Sequence, residues 1–290
     1  MYSTTTLAKD PKLSGKIMGT HQLLDQAARQ TLGQYLPAGR YFPSSKEIIY
    51  FEGMRGPDGL KRKSPEQDDL SHMYDEPDGG QLLTQILDHY HNLVLALRDC
   101  NHVRAAFEAA WLAHMLVDGL TPAHHFPLDN AKEELMSNKE FVKVFGEPIK
   151  GVMRGRTPLE TMRNNWLYWG AGGYMSKHIA YEYGVALIVA VLPHKTLRPP
   201  IAAVDLQNLD VRQIFADALG AIKPKEVYNQ FRQDGWTTEL AFATKDVLAP
   251  QMVRAIVRCW YAAMTEAYGE AEMTVGQNSD DVDQKQGSEK

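Results

Sequence analysis

Residues 113–124 read AHMLVDGLTPAH, and this stretch decides how the rest of the chain is understood. The apolar run from Ala113 to Leu120 has helical character and carries His114 and Asp118 four positions apart. Side chains at that spacing leave one helix face and can approach a single point. Pro122 breaks the helix, and the turn that follows delivers a second imidazole, His124. His114 stands among Trp111, Leu112, Met115 and Leu116, which predicts that it is buried. A buried imidazole beside a buried carboxylate needs compensation, and a metal ion supplies it. His178 and Glu182 repeat the same spacing farther along, and His72 lies in a third polar cluster. Taken singly, such pairs are also what exposed ion pairs look like. Their recurrence points to zinc, which accepts imidazole nitrogen and carboxylate oxygen together and activates water for hydrolysis.

Working outward, the pattern is helical almost throughout. Thr20 reads as the N-cap of a helix through Leu24, Ala28 and Leu32, and Ser44 and Ser45 precede a short one through Ile48 and Phe51. From Gly53 to Gly80 the Gly, Pro, Asp, Lys and Arg content predicts a long functional loop, carrying Asp58, His72 and Tyr74. Apolar residues at 3,4 spacing predict a helix over 81–100, and Asn101 caps another over 103–119, whose alanines allow close helix packing. Further helices are expected near 131–137, 158–169, 174–192, 211–219 and 226–233, then a long one over 238–269 broken at Pro250. Alternation of the strand kind is nearly absent. The expected fold is all-α, with a flexible segment over 1–16, one multi-helix domain over 17–271 and a disordered polar tail over 272–290.

At 290 residues the chain can bury a sizeable core, and its net charge of −5 argues against a long nucleic-acid track. Cys100 and Cys259 form no metal or disulfide motif and read as buried small hydrophobes. Residues 1–16 are polar, without the apolar core of a signal peptide, and no apolar run approaches the length of a membrane span. The expected location is the cytoplasm. His89 and His91 read as surface or interfacial histidines, His194 as exposed, and Trp166 and Trp169 as core residues by default. His125, directly after His124, reads as a supporting group or an alternative ligand.

The segment AHMLVDGLTPAHH resembles the H-x-x-x-D-x-x-x-Q-P-x-H signature of the zinc-dependent phospholipase C and single-strand nuclease superfamily, with Thr121 in place of Gln. SHMYDEPDGG, from Ser71, is similar to that family's Ser-His-Phe-Tyr-Asp segment, with Asp58 at the family's interval before His72. KHIAYEYG, from Lys177, matches its H-x-x-x-E pair, and GTHQLLDQAA resembles the early helix that supplies one more His. With the closing helix through Trp260 and Tyr268-Gly269, the resemblance spans about residues 17–270.

What the resemblance implies is a multinuclear zinc site between helices. Asp58, His72, His114 and Asp118 would hold one metal; His124, His178 and Glu182 would hold a second. Asp118 would bridge to a third that includes His21, giving two or three zinc ions per chain. Asp58 would also orient or deprotonate the attacking water, and Glu52, which follows an Ile-Tyr pair as the family's Asp does, competes with it as ligand. Exported members complete the third site with a processed N-terminal Trp, whereas Met1 here lies twenty residues before His21, so that site stays open. The interval between His124 and His178 is far longer than in bacterial phospholipases, and with Arg154, Arg156, Arg163 and several aromatics it reads as a lid or partner surface. The implied activity is a zinc-dependent phosphoesterase that hydrolyses a phosphodiester, such as a phospholipid headgroup, with a zinc-bound hydroxide. A nuclease of the same superfamily, acting on single strands, and an inactive metal-stabilised binding protein are the alternatives. Oligomeric state is left open.

Overall fold

Helix α5 (His102–Leu120) lies at the centre of the molecule, and from Glu108 to Leu120 every residue on it is buried. The computed structural model describes residues 18–52, 55–63, 74, 80–128, 135, 152–269 and 273. Among them there is no strand, and the architecture is all-helical. Before α5 come α1 (Thr20–Leu32), α2 (Ser45–Tyr50), α3 (Pro57–Lys63) and α4 (Gly80–Arg98). After it come a 3₁₀ turn (Pro122–His125), α6 (Pro158–Trp169), α7 (Tyr174–Val191), α8 (Val211–Ile222), α9 (Pro224–Asp234), α10 (Thr238–Ala243) and α11 (Ala249–Tyr268). No helix among the described residues is long and apolar enough to cross a membrane.

The reason α5 can be central is compositional. Ala105, Ala109, Ala110 and Ala113 present little volume, so neighbouring helices approach closely. Trp260 of α11 is fully buried against it and donates its indole N–H to the Ala109 carbonyl at 3.1 Å. Helix α4 forms the most extensive pair with α5, while α1 and α4 both pack on α11. The start of α5 is set by the Asn101 side chain, which accepts the Arg104 N–H at 3.1 Å. Its end is set by Pro122, and Thr121, just before the proline, donates its hydroxyl to the Val117 carbonyl at 2.7 Å.

Several local expectations need correction. Gly19, not Thr20, is the N-cap of α1; Gln22 accepts the Gly19 N–H at 3.0 Å, and Thr20 opens the helix from a buried position. The loop expected over 53–80 contains α3, which carries no apolar period but begins on Pro57 and Asp58. Both favour a helix start, proline by its fixed φ and the carboxylate by the helix dipole. Pro250 opens α11 instead of breaking it, because a π-turn at Thr244–Leu248 re-phases the helix just before the ring. Cys259 is buried as expected, but Cys100 is exposed in the α4–α5 turn with φ +52°. The helix expected over 131–137 lies, apart from Leu135, outside the described residues, as do the segments 1–16 and 274–290.

Gly184 fixes where α7 sits. A Cβ there would come within 2.1 Å of the Trp236 ring, which stacks on Tyr181 and donates to the Ala180 carbonyl at 3.1 Å. Overpacking of this kind costs ~1–3 kcal/mol, against ~1 kcal/mol gained in helix propensity when Gly becomes Ala. Gly184→Ala is therefore expected to lower the urea midpoint at unchanged slope and to move Trp236 toward solvent, read as a red-shifted emission. An unchanged midpoint would show that the ring yields without cost.

Candidate metal centre

Four helices and one turn converge on Asp118. From α5, the Asp118 Oδ2 lies 3.3 Å from His114 Nε2, as the four-residue spacing requires. Helix α1 brings His21, whose Nε2 is 3.4 Å from Asp118 Oδ1 and whose ring stacks on His114 at 4.0 Å between centroids. Helix α3 places Asp58, half-buried, with Oδ1 3.8 Å from His114 Nε2. The 3₁₀ turn after Pro122 places His124 Nδ1 3.8 Å from Asp118 Oδ1. Helix α7 supplies His178 and Glu182, whose Oε1 accepts from His124 Nε2 at 2.9 Å and lies 3.3 Å from His178 Nε2. The His124 and His178 rings lie nearly parallel, 5.3 Å apart.

These contacts define two groups able to hold a metal ion: His21 with Asp58 and His114, and His124 with His178 and Glu182. Asp118 stands between them, one oxygen toward His114 and the other toward both His21 and His124. Two observations test whether a metal fits. First, ligand atoms about 2.0–2.1 Å from a tetrahedral zinc are about 3.3–3.4 Å from one another. The His21–Asp118, His114–Asp118 and His178–Glu182 separations of 3.4, 3.3 and 3.3 Å have that size. Second, both ring nitrogens of His21, and Nδ1 of His124 and of His178, are buried without a hydrogen-bond partner. Orphaned donors and acceptors of this kind carry a desolvation cost that a ligand removes. The residues fit a metal, and two buried His/Asp/Glu clusters able to hold one are present.

Electrostatics agree with that composition. Burial alone would raise the Asp118 carboxyl, but nearby positive charge and the hydrogen bond with His114 hold it well below the usual carboxylate range. Glu182 is likewise depressed against its burial by its hydrogen bonds to His124 and His178. Burial pushes His21 and His124 down toward the neutral imidazole, the form that ligates. His114 goes the other way: burial disfavours its charge, yet Glu52 and Asp118 together raise it well above the ordinary range.

Glu52 and Asp58, rivals for one role in the sequence, occupy opposite edges of His114. Glu52 at the end of α2 is buried and accepts from His114 Nδ1 at 3.2 and 3.3 Å through its two oxygens. A carboxylate only accepts, so Nδ1 carries the proton and Nε2 is the nitrogen turned to Asp58 and Asp118. Carboxylates behind ligating histidines fix the ring and raise its basicity, and losing one costs about 10–100-fold in metal affinity. Glu52→Gln is expected to weaken zinc binding by about that factor, measured by chelator competition. Unchanged affinity would remove Glu52 from the site.

Other expectations fall out unevenly. His72 lies outside the described residues, but Tyr74, two residues later, donates its backbone N–H to the His124 carbonyl at 3.1 Å and stacks on His125. His125 turns Nε2 to the Gly119 carbonyl at 2.8 Å, which fixes the turn. His89 is the interfacial one: its Nδ1 pairs at 2.6 Å with the fully buried Glu108 of α5, whereas His91 and His194 are exposed. Trp166 and Trp169, expected in the core, are exposed. Sequence reasoning missed Asp25, one turn after His21, which is buried with neither carboxylate oxygen hydrogen-bonded. Burial, then the nearby Glu52, raises its carboxyl well above the ordinary range. The signal was available, since His21 and Asp25 have the same spacing as His114 and Asp118. Comparison with protein-family models, with curated proteins and with solved structures finds no match.

Proposed function

We propose that this chain is a zinc-dependent phosphoesterase of the phospholipase C type, hydrolysing a phosphodiester bond. The observation that carries the proposal is the placement of two three-residue groups on either side of one buried carboxylate, Asp118. The donor set supports zinc: four imidazoles with carboxylates suit a borderline-soft ion, whereas magnesium and calcium favour all-oxygen sites. When bound, zinc supplies an activated water at neutral pH and positive charge for the phosphoryl oxygens.

The chain's own residues have distinct parts in this reading. His21, Asp58 and His114, with Asp118 beside them, would hold the first ion, and His124, His178 and Glu182 would hold the second. Asp58 is the half-buried member of the first group. It orients the attacking water and accepts its proton, a role that needs a carboxylate open to the substrate side. Glu52 positions His114 from behind. Burial of the remaining ligands excludes bulk water, which strengthens every charge interaction at the reacting centre.

The test is turnover of bis(p-nitrophenyl) phosphate by purified protein, lost on chelation and restored by zinc. Short-chain phosphatidylcholine and a single-stranded oligonucleotide then select the substrate class, with faster cleavage of the lipid expected. Faster cleavage of the oligonucleotide would make the protein a nuclease. Zinc binding without turnover of any diester would make it a metal-stabilised binding protein.

A further inference from the structure

Helix α6 is built inside out. Its inner side carries amides beside the buried Tyr168 ring: Asn164 donates to the Leu135 carbonyl at 2.7 Å, and Asn165 bonds the Met153 backbone through both ends of its amide. Its outer side is apolar. Leu159, Met162, Trp166 and Trp169 follow at helical 3,4,3 spacing and are 71, 66, 70 and 44% exposed. They line an apolar groove of about 570 Å³ together with Arg163. A contiguous apolar face of this kind on a folded chain marks an interaction surface.

We infer that α6 docks this protein on a lipid surface, laying the Leu159–Trp169 face into the interfacial zone so that the metal centre meets headgroup phosphodiesters. Three observations select lipid as the occupant. Tryptophan is the side chain enriched at membrane–water interfaces, and two of the four exposed residues are Trp. Arg163 lines the groove and Arg156 is exposed just before the helix, against one carboxylate, Glu160, which accepts the Arg156 backbone N–H, so the rim of the face is basic in a chain of net charge −5. That charge complements anionic lipid phosphates. It disfavours a second copy of the chain, because a two-fold contact would set the same arginines against each other.

The third observation is continuity with the metal centre. Helix α7 packs on α6 and carries His178 and Glu182. About a third of a turn round from those ligands, α7 exposes a second apolar line of Ile179, Tyr183, Leu187 and Val191. A lipid surface meeting α6 and this line therefore lies beside the ligand face of α7.

The inference rests on the phosphoesterase reading only for the purpose of docking, and its test does not require turnover. The full chain is sedimented with phosphatidylcholine vesicles, with and without phosphatidylserine, while brominated lipids report tryptophan quenching. Binding with quenching is expected, tighter when phosphatidylserine is present. Trp166→Ser is expected to weaken partitioning about tenfold and Arg163→Gln about fivefold on anionic vesicles alone. Val103→Ser, equally exposed at the far end of α5, leaves binding unchanged, and circular dichroism confirms that each variant is folded. Absence of vesicle binding by the wild type, or equal binding by Trp166→Ser, overturns the inference. So does a dimer that Trp166→Ser dissociates, since the face would then be covered by a second copy. Turnover of a soluble diester without vesicle binding sinks this inference and leaves the activity standing; vesicle binding without turnover does the reverse.

Discussion

Asp118→Ala is expected to strip metal from both groups and to lower kcat/KM on bis(p-nitrophenyl) phosphate by about 10³-fold or more, equivalent to ~4 kcal/mol of transition-state stabilisation. The expectation follows from position. Asp118 contacts His21, His114 and His124, so its removal takes one carboxylate from beside each group. It also leaves the buried His114 ring with one carboxylate beside it, Glu52, where Glu52 and Asp118 together raise it now. Breaking a buried ion pair by deleting one member costs ~3–5 kcal/mol. Asp118→Asn, which keeps the shape and loses the charge, separates the two effects. It should stay folded by circular dichroism and still lose zinc. An Asp118→Ala protein with full zinc content and full turnover would sink the shared-carboxylate geometry.

Glu182→Gln is expected to act on one group alone. Its Oε1 is the atom that both His124 and His178 face, at 2.9 and 3.3 Å, and these three residues make up the second group. Zinc content should therefore fall by one ion, leaving the first group loaded. Hydrolysis should drop by roughly two to three orders of magnitude, because two-metal sites divide charge stabilisation of the attacking and leaving oxygens between their ions. Mass spectrometry of the native protein counts the ions directly. Loss of all zinc in Glu182→Gln would mean that the two groups load only together, and retention of all of it would exclude Glu182 as a ligand.

How much of this was legible in the sequence differs by element. The long helices were readable because they bury one face against neighbours, as in α4, or carry a long apolar run, as α5 does from Ala109 to Leu120 around His114 and Asp118. The His114–Asp118 and His178–Glu182 pairs were readable because four-residue spacing is a local property. Helix α3 was not, since it has no apolar period and is set by Pro57, Asp58 and its place against the site. The two sides of His114 were not readable either. Whether Glu52 or Asp58 faces Nδ1 depends on how α2 and α3 pack on α5, which no local pattern encodes. Trp166 and Trp169 misled for a related reason. Tryptophan is usually buried, and only the tertiary placement of Asn164 and Asn165 turns α6 over.

The most direct measurement is the zinc content of the full chain purified without added metal, by inductively coupled plasma mass spectrometry, beside His114→Ala. The two groups around Asp118 lead to at least two zinc ions per chain in the wild type and fewer in the variant. A wild type that carries no zinc, and takes up none on titration, would contradict the account and reduce the convergence on Asp118 to buried ion pairing.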